Sequence, residues 1–328
     1  MKKIDLHQDI ILSFEANTAW FFDDQYVIDI HGTYAGNFHD YKTSECTVVW
    51  AANRPYSLQW DLTNLEKRII TFDLDLLWHR HTIMQQLADQ HKLWIITSYA
   101  DIAYYEKKQT PLSFIHHIEW CDHITSMEDI TTLYEAWIRS LWFVWNFNNA
   151  LAHTHTSQTW WLTTLWKEAV WYMNELGMII DTAHMNEQSM MDVLQYSQYP
   201  IINSHSNIQA LFQHSRNVTD EFLDKLVKNN GVIWLSIYAP FISNAWNVSQ
   251  EIFLEQINYV YNRIWTDHLA LWTDFHGIQT NRTVSWINTI SALNSLESLL
   301  NKEFQQSITE KFFSKNVLRV LKNILSKK

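Results

Sequence analysis

Short β-branched or apolar runs alternate along the chain with longer stretches of helical periodicity. The runs that predict strands are residues 4–9, 47–52, 114–119, 140–145, 178–181, 200–204, 232–237 and 268–274. Eight such runs with helical patterns between them are what a (β/α)₈ TIM barrel of the α/β class requires. Residues 93–97 read as a further short strand. Residues 163–176 place apolar side chains near a 3.6-residue period and end at Gly177, a residue suited to closing a helix. Residues 219–227 open with Thr219-Asp220-Glu221, an N-cap with acidic first-turn residues, and stop before Asn230-Gly231. Each of these helices leads into a predicted strand, the rhythm of a parallel sheet. From about residue 283 the pattern is helical. Its basic residues Lys315, Arg319, Lys322, Lys327 and Lys328 suit helix C-termini and solubility. No repeat or Pro/Gly-rich linker divides the chain. Residues 1–328 are therefore expected to form one barrel domain with a C-terminal helical extension.

Charge and cysteine content narrow the function classes. A formal net charge of −11 argues against a nucleic-acid partner and against an anionic membrane surface. Two cysteines, Cys46 and Cys121, make no disulfide framework and point to a reducing compartment. The start, Met1-Lys2-Lys3-Ile4-Asp5, lacks the apolar stretch of a signal peptide, and no run of about 20 apolar residues spans a membrane. A cytoplasmic location is expected.

One imbalance changes the picture. The chain has 18 Trp and only 5 Gly. Together they match the roughly 23 glycines that an average content of about 7% would give. UGA is read as tryptophan under some variant genetic codes and as glycine under another. The pattern predicts that most of these tryptophan codons specify glycine. Trp160-Trp161 sits in a polar linker, Trp166 and Trp171 fall in an ordinary helix, and Trp272 ends an apolar strand. Glycine serves where backbones approach closely or φ is positive, and tryptophan can do neither.

The polar residues at the strand ends are the wrong types for a plain core. Strand one ends in His7-Gln8-Asp9, whose first and third residues share a face. Glu119 ends the third strand and Asp274 the eighth, while His184 and His205 follow the fifth and sixth. Three imidazoles and three carboxylates are thus expected at the C-terminal rim, where barrel enzymes keep their active sites. Neutral imidazole and carboxylate suit zinc and similar divalent ions in hydrolytic sites. A bridging water between two such ions would be acidic enough to attack a carbonyl, with Asp274 as the proton acceptor and donor.

At this point the chain resembles the membrane (renal) dipeptidase family. The similarity rests on Gly177-Met178-Ile179-Ile180-Asp181-Thr182-Ala183-His184, Pro200-Ile201-Ile202-Asn203-Ser204-His205-Ser206, His214-Ser215-Arg216-Asn217-Val218-Thr219-Asp220 and Thr273-Asp274-Phe275-His276-Gly277. It runs from His7 to the final Asn316-Val317-Leu318-Arg319. The resemblance implies a zinc dipeptidase on a (β/α)₈ barrel, with a small dipeptide as its partner, and it allows a homodimer. It implies a binuclear centre of two zinc ions. His7, Asp9 and Asp274 would serve one ion, Glu119 would bridge, and His184 and His205 would hold the second. Arg216 would contact the substrate carboxylate or oxyanion. Trp145-Asn146 matches a substrate-contacting pair of some members, so Trp145 is expected to be a true tryptophan. Glycine is expected at Trp120, Trp160, Trp161, Trp166 and Trp272.

Some features depart from the family pattern. His276 stands where it has Asp, and residues 54–81 match poorly. His153 and His155 read as a solvated lid loop, and Cys121 as a small buried hydrophobe. His79 and His81, and His116 and His117, read as surface or helix residues. Two other readings keep different classes open. One is a binuclear amidohydrolase acting on an N-acyl amino acid, lactone or cyclic amide. The other is a non-catalytic, aromatic-rich binding protein.

Overall fold

A computed structural model describes residues 2–8, 37–60, 68–108, 112–159, 163–245 and 247–326. Eight strands run parallel in chain order to form a nearly closed barrel: β1 (Lys3–Gln8), β2 (Cys46–Asn53), β6 (Ser113–Ile118), β7 (Ile138–Trp142), β8 (Ile179–Asp181), β9 (Ile202–Ser206), β10 (Val232–Ser236) and β11 (Leu269–Trp272). All eight fall where the hydrophobic runs predicted them. The short β5 (Trp94–Ile95) pairs with the start of β6. A hairpin of β3 (Tyr56–Trp60) and β4 (Arg68–Phe72) follows β2. The hydrophobic pattern of residues 54–81 did not reveal it.

Helices cover the barrel: α1 (Phe38–Thr43), α2 (Leu74–His91), α3 (Tyr99–Lys108), α4 (Met127–Glu135), α5 (Thr164–Leu176), α6 (Glu187–Tyr196), α7 (Asp220–Lys228) and α8 (Gln250–Ile264). The predicted caps at Gly177 and Thr219 are the observed ones, and Thr163 adds an N-cap. Thr163 accepts from the Trp166 amide and Gly177 closes α5 at φ 68°. Thr219 accepts from the Phe222 amide at the start of α7. The C-terminal helices α9 (Leu293–Glu303), α10 (Gln306–Glu310) and α11 (Asn316–Leu325) begin later than residue 283. Residues before Leu293 form loop and single turns, held in part by the Val284 amide donating to the Ile237 carbonyl.

Strand parity splits the core in two. Val49, Ala51, Phe114, Ile233, Leu235 and Leu271 face the helices. Their neighbours Val48, Trp50, Ile115, Val232, Trp234, Ala270 and Trp272 fill the barrel interior with residues of α3 and α11. Alternation across the two faces is the period-2 pattern of a strand. Trp50 and Trp234 meet edge-on there, 5.3 Å between ring centres. Below them Lys3 is buried and donates to the Ser44 carbonyl and to Glu297 on α9, which fixes the start of β1. Gly231 marks the entry to β10, where a Cβ would lie 2.7 Å from the Ile201 carbonyl. Among the described residues no helix is long and apolar enough to cross a membrane. Neither cysteine forms a disulfide, and Cys121 is buried.

Candidate active site

The C-terminal strand ends open into a cavity of about 320 Å³. Glu119 enters it just after β6, His184 after β8, His205 from β9, Arg216 from the loop after β9, and Asp274 after β11. Five of the residues picked out by the sequence therefore converge, from four strand ends. His7 lies on β1, and Asp9 lies outside the described residues. Trp145 and Asn146, after β7, also line the cavity, and Trp145 stacks on Trp120 at 4.5 Å. A larger hollow of about 600 Å³ lies between α6 and α7. It gathers amides and lysines rather than the imidazole and carboxylate pairs that hydrolytic chemistry uses.

Backbone strain concentrates at these residues. His184 sits at φ 67°, Asp274 at φ 54° and His276 at φ 67°, each a left-handed conformation that costs a residue with a Cβ about 1–3 kcal/mol. Tight local bonding holds them. The Asp181 carboxylate accepts from the Ala183 and Ser204 amides at 3.0 Å each and from the Trp142 indole at 2.5 Å, tying β7, β8 and β9 together. Burial still raises its pKa to about 6, against those hydrogen bonds. The carbonyl of Asp274 accepts from the Gly277 and Ile278 amides. His276 is fully buried and reaches the Tyr41 hydroxyl at 3.2 Å, so it packs beneath the site rather than standing in an open loop.

The cavity holds its charges close. The Arg216 guanidinium donates to the His205 carbonyl and has Nη1 at 2.9 Å from Nδ1 of His184. Burial pulls its pKa down to about 9, with Asp181 and Asp274 acting the other way. His155 is held near 4, first by burial and then by Arg216. The His184 and His205 rings lie 4.7 Å apart. Arg54 reaches Glu119 at 3.7 Å.

Several cavity residues escaped the sequence reading. Arg54, His155, His214 and Tyr238 all line it. The sequence pattern places His155 in a solvated lid loop. Instead it bonds Ser215 and faces the cavity, while His153 is buried and reaches Ser157. Arg54 directly follows the end of β2, the same position relative to a strand that Glu119 holds after β6, and that signal is present in the sequence. His79 is exposed on α2, but His81 is buried there, and His116 and His117 are buried on β6. Trp160 and Trp161 lie outside the described residues.

The donor set of Glu119, His184, His205 and Asp274 fits a divalent metal in kind, two imidazoles and two carboxylates on one cavity. Its spacing is another matter. Among the described residues, no group of three or more His, Cys, Asp or Glu side chains is arranged to hold a metal ion. Aromatic rings pack against the imidazoles. Trp142 lies 4.9 Å from His184 and 4.5 Å from His205, and Trp272 stacks on His205 at 4.5 Å.

The sequence pattern of the membrane dipeptidase family, peptidase family M19, matches residues 2–328. Dipeptidase tcpJ of Claviceps purpurea is 35% identical over 161 residues, which cover 48% of this chain and 37% of that protein. The chain thus matches little more than a third of that relative's length. A protein encoded in the pqqA 5′ region of Klebsiella pneumoniae is 27% identical over 76% of this chain and 97% of its own. Among solved structures, a metallopeptidase called dipeptidase AC superposes with a TM-score of 0.82 at 18% identity over 99% of each chain. A Rhodobacter sphaeroides metallopeptidase bound to a phosphinate mimic of the dipeptide L-Ala-D-Ala gives 0.80 at 19%, again over 99% of each. At these identities the superpositions establish the barrel fold.

Proposed function

The chain belongs to the membrane dipeptidase family, peptidase family M19, and from that premise we propose that it is a metal-dependent dipeptidase, cutting the peptide bond of dipeptides with two zinc ions. The observation that carries this reading is one cavity holding Glu119, His184, His205 and Asp274 beside the buried cation of Arg216. Glu119, His184, His205 and Asp274, with His7 on β1 and Asp9 two residues further along the sequence, are the residues that would hold metal. Divalent ions bound by such a set supply a polarised carbonyl and a water acidic enough to react near neutral pH.

The chain's own residues do the rest. Arg216 presents a planar fork suited to a carboxylate, and its desolvation strengthens that contact. It orients the substrate by its free C-terminus and leaves the scissile carbonyl toward Glu119 and Asp274. Asp274 takes the proton of the attacking water and returns it to the leaving amine. Trp145 and Asn146 border the substrate side, with Asn146 Oδ1 at 3.2 Å from Nδ1 of His184. The buried, disulfide-free Cys121 supports a cytoplasmic location.

The test compares dipeptides with the same dipeptides amidated at the C-terminus. Losing a charged bidentate contact costs about 2–3 kcal/mol, on the order of 30–150-fold in kcat/KM. Equal turnover of acid and amide would remove Arg216 from this role. Chelation should abolish hydrolysis and added zinc should restore it.

A further inference from the structure

Helix ends supply the first observation. α5 closes on Gly177 at φ 68° and ψ 41°, where a residue without Cβ rests at no steric cost. The corresponding turns after α4 and α8 are made by Trp137 at φ 62° and by Trp265 at φ 65°, ψ −178°. The angles of Trp265 belong to a region of backbone space that is essentially glycine's alone. Trp265 leaves 74% of its surface to solvent, so no packing of the ring holds it in that shape.

Buried indoles supply the second. A buried tryptophan usually gives its N–H to an acceptor. Trp94 does so at half-buried depth, donating to Asp101 at 3.1 Å while stacking on Tyr104. Trp50, Trp120, Trp166, Trp234 and Trp286 bury their Nε1 with no acceptor among the described residues. At the site itself, Trp120 follows Glu119 directly and Trp272 covers one face of the His205 ring. Both rings take up room beside proposed metal donors, which among the described residues form no group of three spaced to hold an ion.

We infer that this protein carries glycine at positions 120, 137, 265 and 272, from UGA codons read as glycine, and that Glu119, His184, His205 and Asp274 draw together on metal only without the indoles at 120 and 272. The excess of 18 Trp over 5 Gly is the same effect seen in composition. The metal half of the inference rests on the dipeptidase reading above, while the residue identities stand independently of it.

Protein isolated from its own cells is digested with trypsin, and peptides 109–139 and 264–282, which between them hold all four positions, are sequenced by tandem mass spectrometry. Glycine at all four is the expected result, and tryptophan at any of them overturns the assignment there. In parallel, the chain with four tryptophans and the variant W120G/W137G/W265G/W272G are titrated with zinc ion alone and unfolded by heat. The variant should bind zinc about 10–100-fold more tightly, the range that disturbing the surroundings of metal ligands costs, and should melt higher. Equal zinc affinity in the two chains overturns the claim about the pocket. Glycine in the peptides with no zinc bound by either chain upholds the residue identities and overturns the metal reading of the site.

Discussion

Two helix-to-strand junctions feed the site and differ in one residue type. After α5, Gly177 takes a left-handed turn and β8 delivers Asp181 and His184. After α8, Trp265 takes a turn of the same φ but extended ψ, and β11 delivers Trp272 and Asp274. On the first side the polar groups close on one another, with Asp181 bonded to Ala183, Ser204 and Trp142. On the second, an indole stacks on His205 beside the proposed catalytic carboxylate. The backbone demands a positive φ at both junctions. The side chain answers it at one and opposes it at the other. Strain at His184 and Asp274 has a use, since it aims a donor into the cavity. Strain at the exposed Trp265 aims nothing.

The largest effect expected on this comparison is chemical. Asp274 stands on the opposed side and carries the proposed proton transfer. Asp274→Asn should lower kcat by about 10²–10⁴-fold, the usual contribution of a positioned acid–base group, with KM nearly unchanged. Steady-state kinetics on a dipeptide measure it. A fall below tenfold would move the proton transfer to another residue.

Legibility in the sequence follows the same divide. β8, β10 and the helices before them are readable because Gly177 and Asn230-Gly231 end helices where apolar runs begin. His184 and His205 are legible as polar residues at predicted strand ends, whereas Arg216 is reached only through the family resemblance. The β3–β4 hairpin was missed, since Tyr56–Trp60 and Arg68–Phe72 are separated by a polar stretch with no short turn signal. Arg54, His155, His214 and Tyr238 come from four different loops, and no local spacing links them. Their convergence is a property of barrel closure. Composition together with the family resemblance points to glycine at 120 and 272, but the stacking of these rings on Trp145 and His205 is visible only in the fold.

A third junction sharpens the comparison through pH. Behind Trp137, which packs on His81, the ring of His116 is fully buried with its pKa held down to about 3, first by burial and then by His81 and Arg139. The unfolded chain protonates His116 near 6.5 and the folded chain does not until much lower. The unfolded state therefore binds more protons between those values, and stability rises with pH from about 3 to 6.5. The contribution is complete above 6.5 and is lost on acidification, on the order of 3–5 kcal/mol. Urea unfolding from pH 4 to 7 should show this slope, and His116→Leu should flatten it. An unchanged slope in that variant would place the acid sensitivity elsewhere.

Exchanging the residues at the two junctions gives the smallest single effect, at position 265, and the cleanest reading. Gly177 is buried, so Gly177→Trp combines a left-handed penalty with overpacking, each about 1–3 kcal/mol, and should destabilise by roughly 3–5 kcal/mol. Trp265→Gly relieves the backbone penalty of about 1–3 kcal/mol. It gives back part of that because glycine gains freedom in the unfolded chain, worth about 0.4–1 kcal/mol. The ring at 265 is exposed and contributes little burial to lose. A net gain of about 1–2 kcal/mol is expected, and it should appear as a higher urea midpoint at constant m-value, since the surface exposed on unfolding hardly changes. Trp265→Ala is the control. Alanine shortens the side chain yet keeps the Cβ, so it should recover almost none of the gain. If alanine stabilises as much as glycine, the indole and not the backbone is at fault, and the two junctions differ for a reason other than φ.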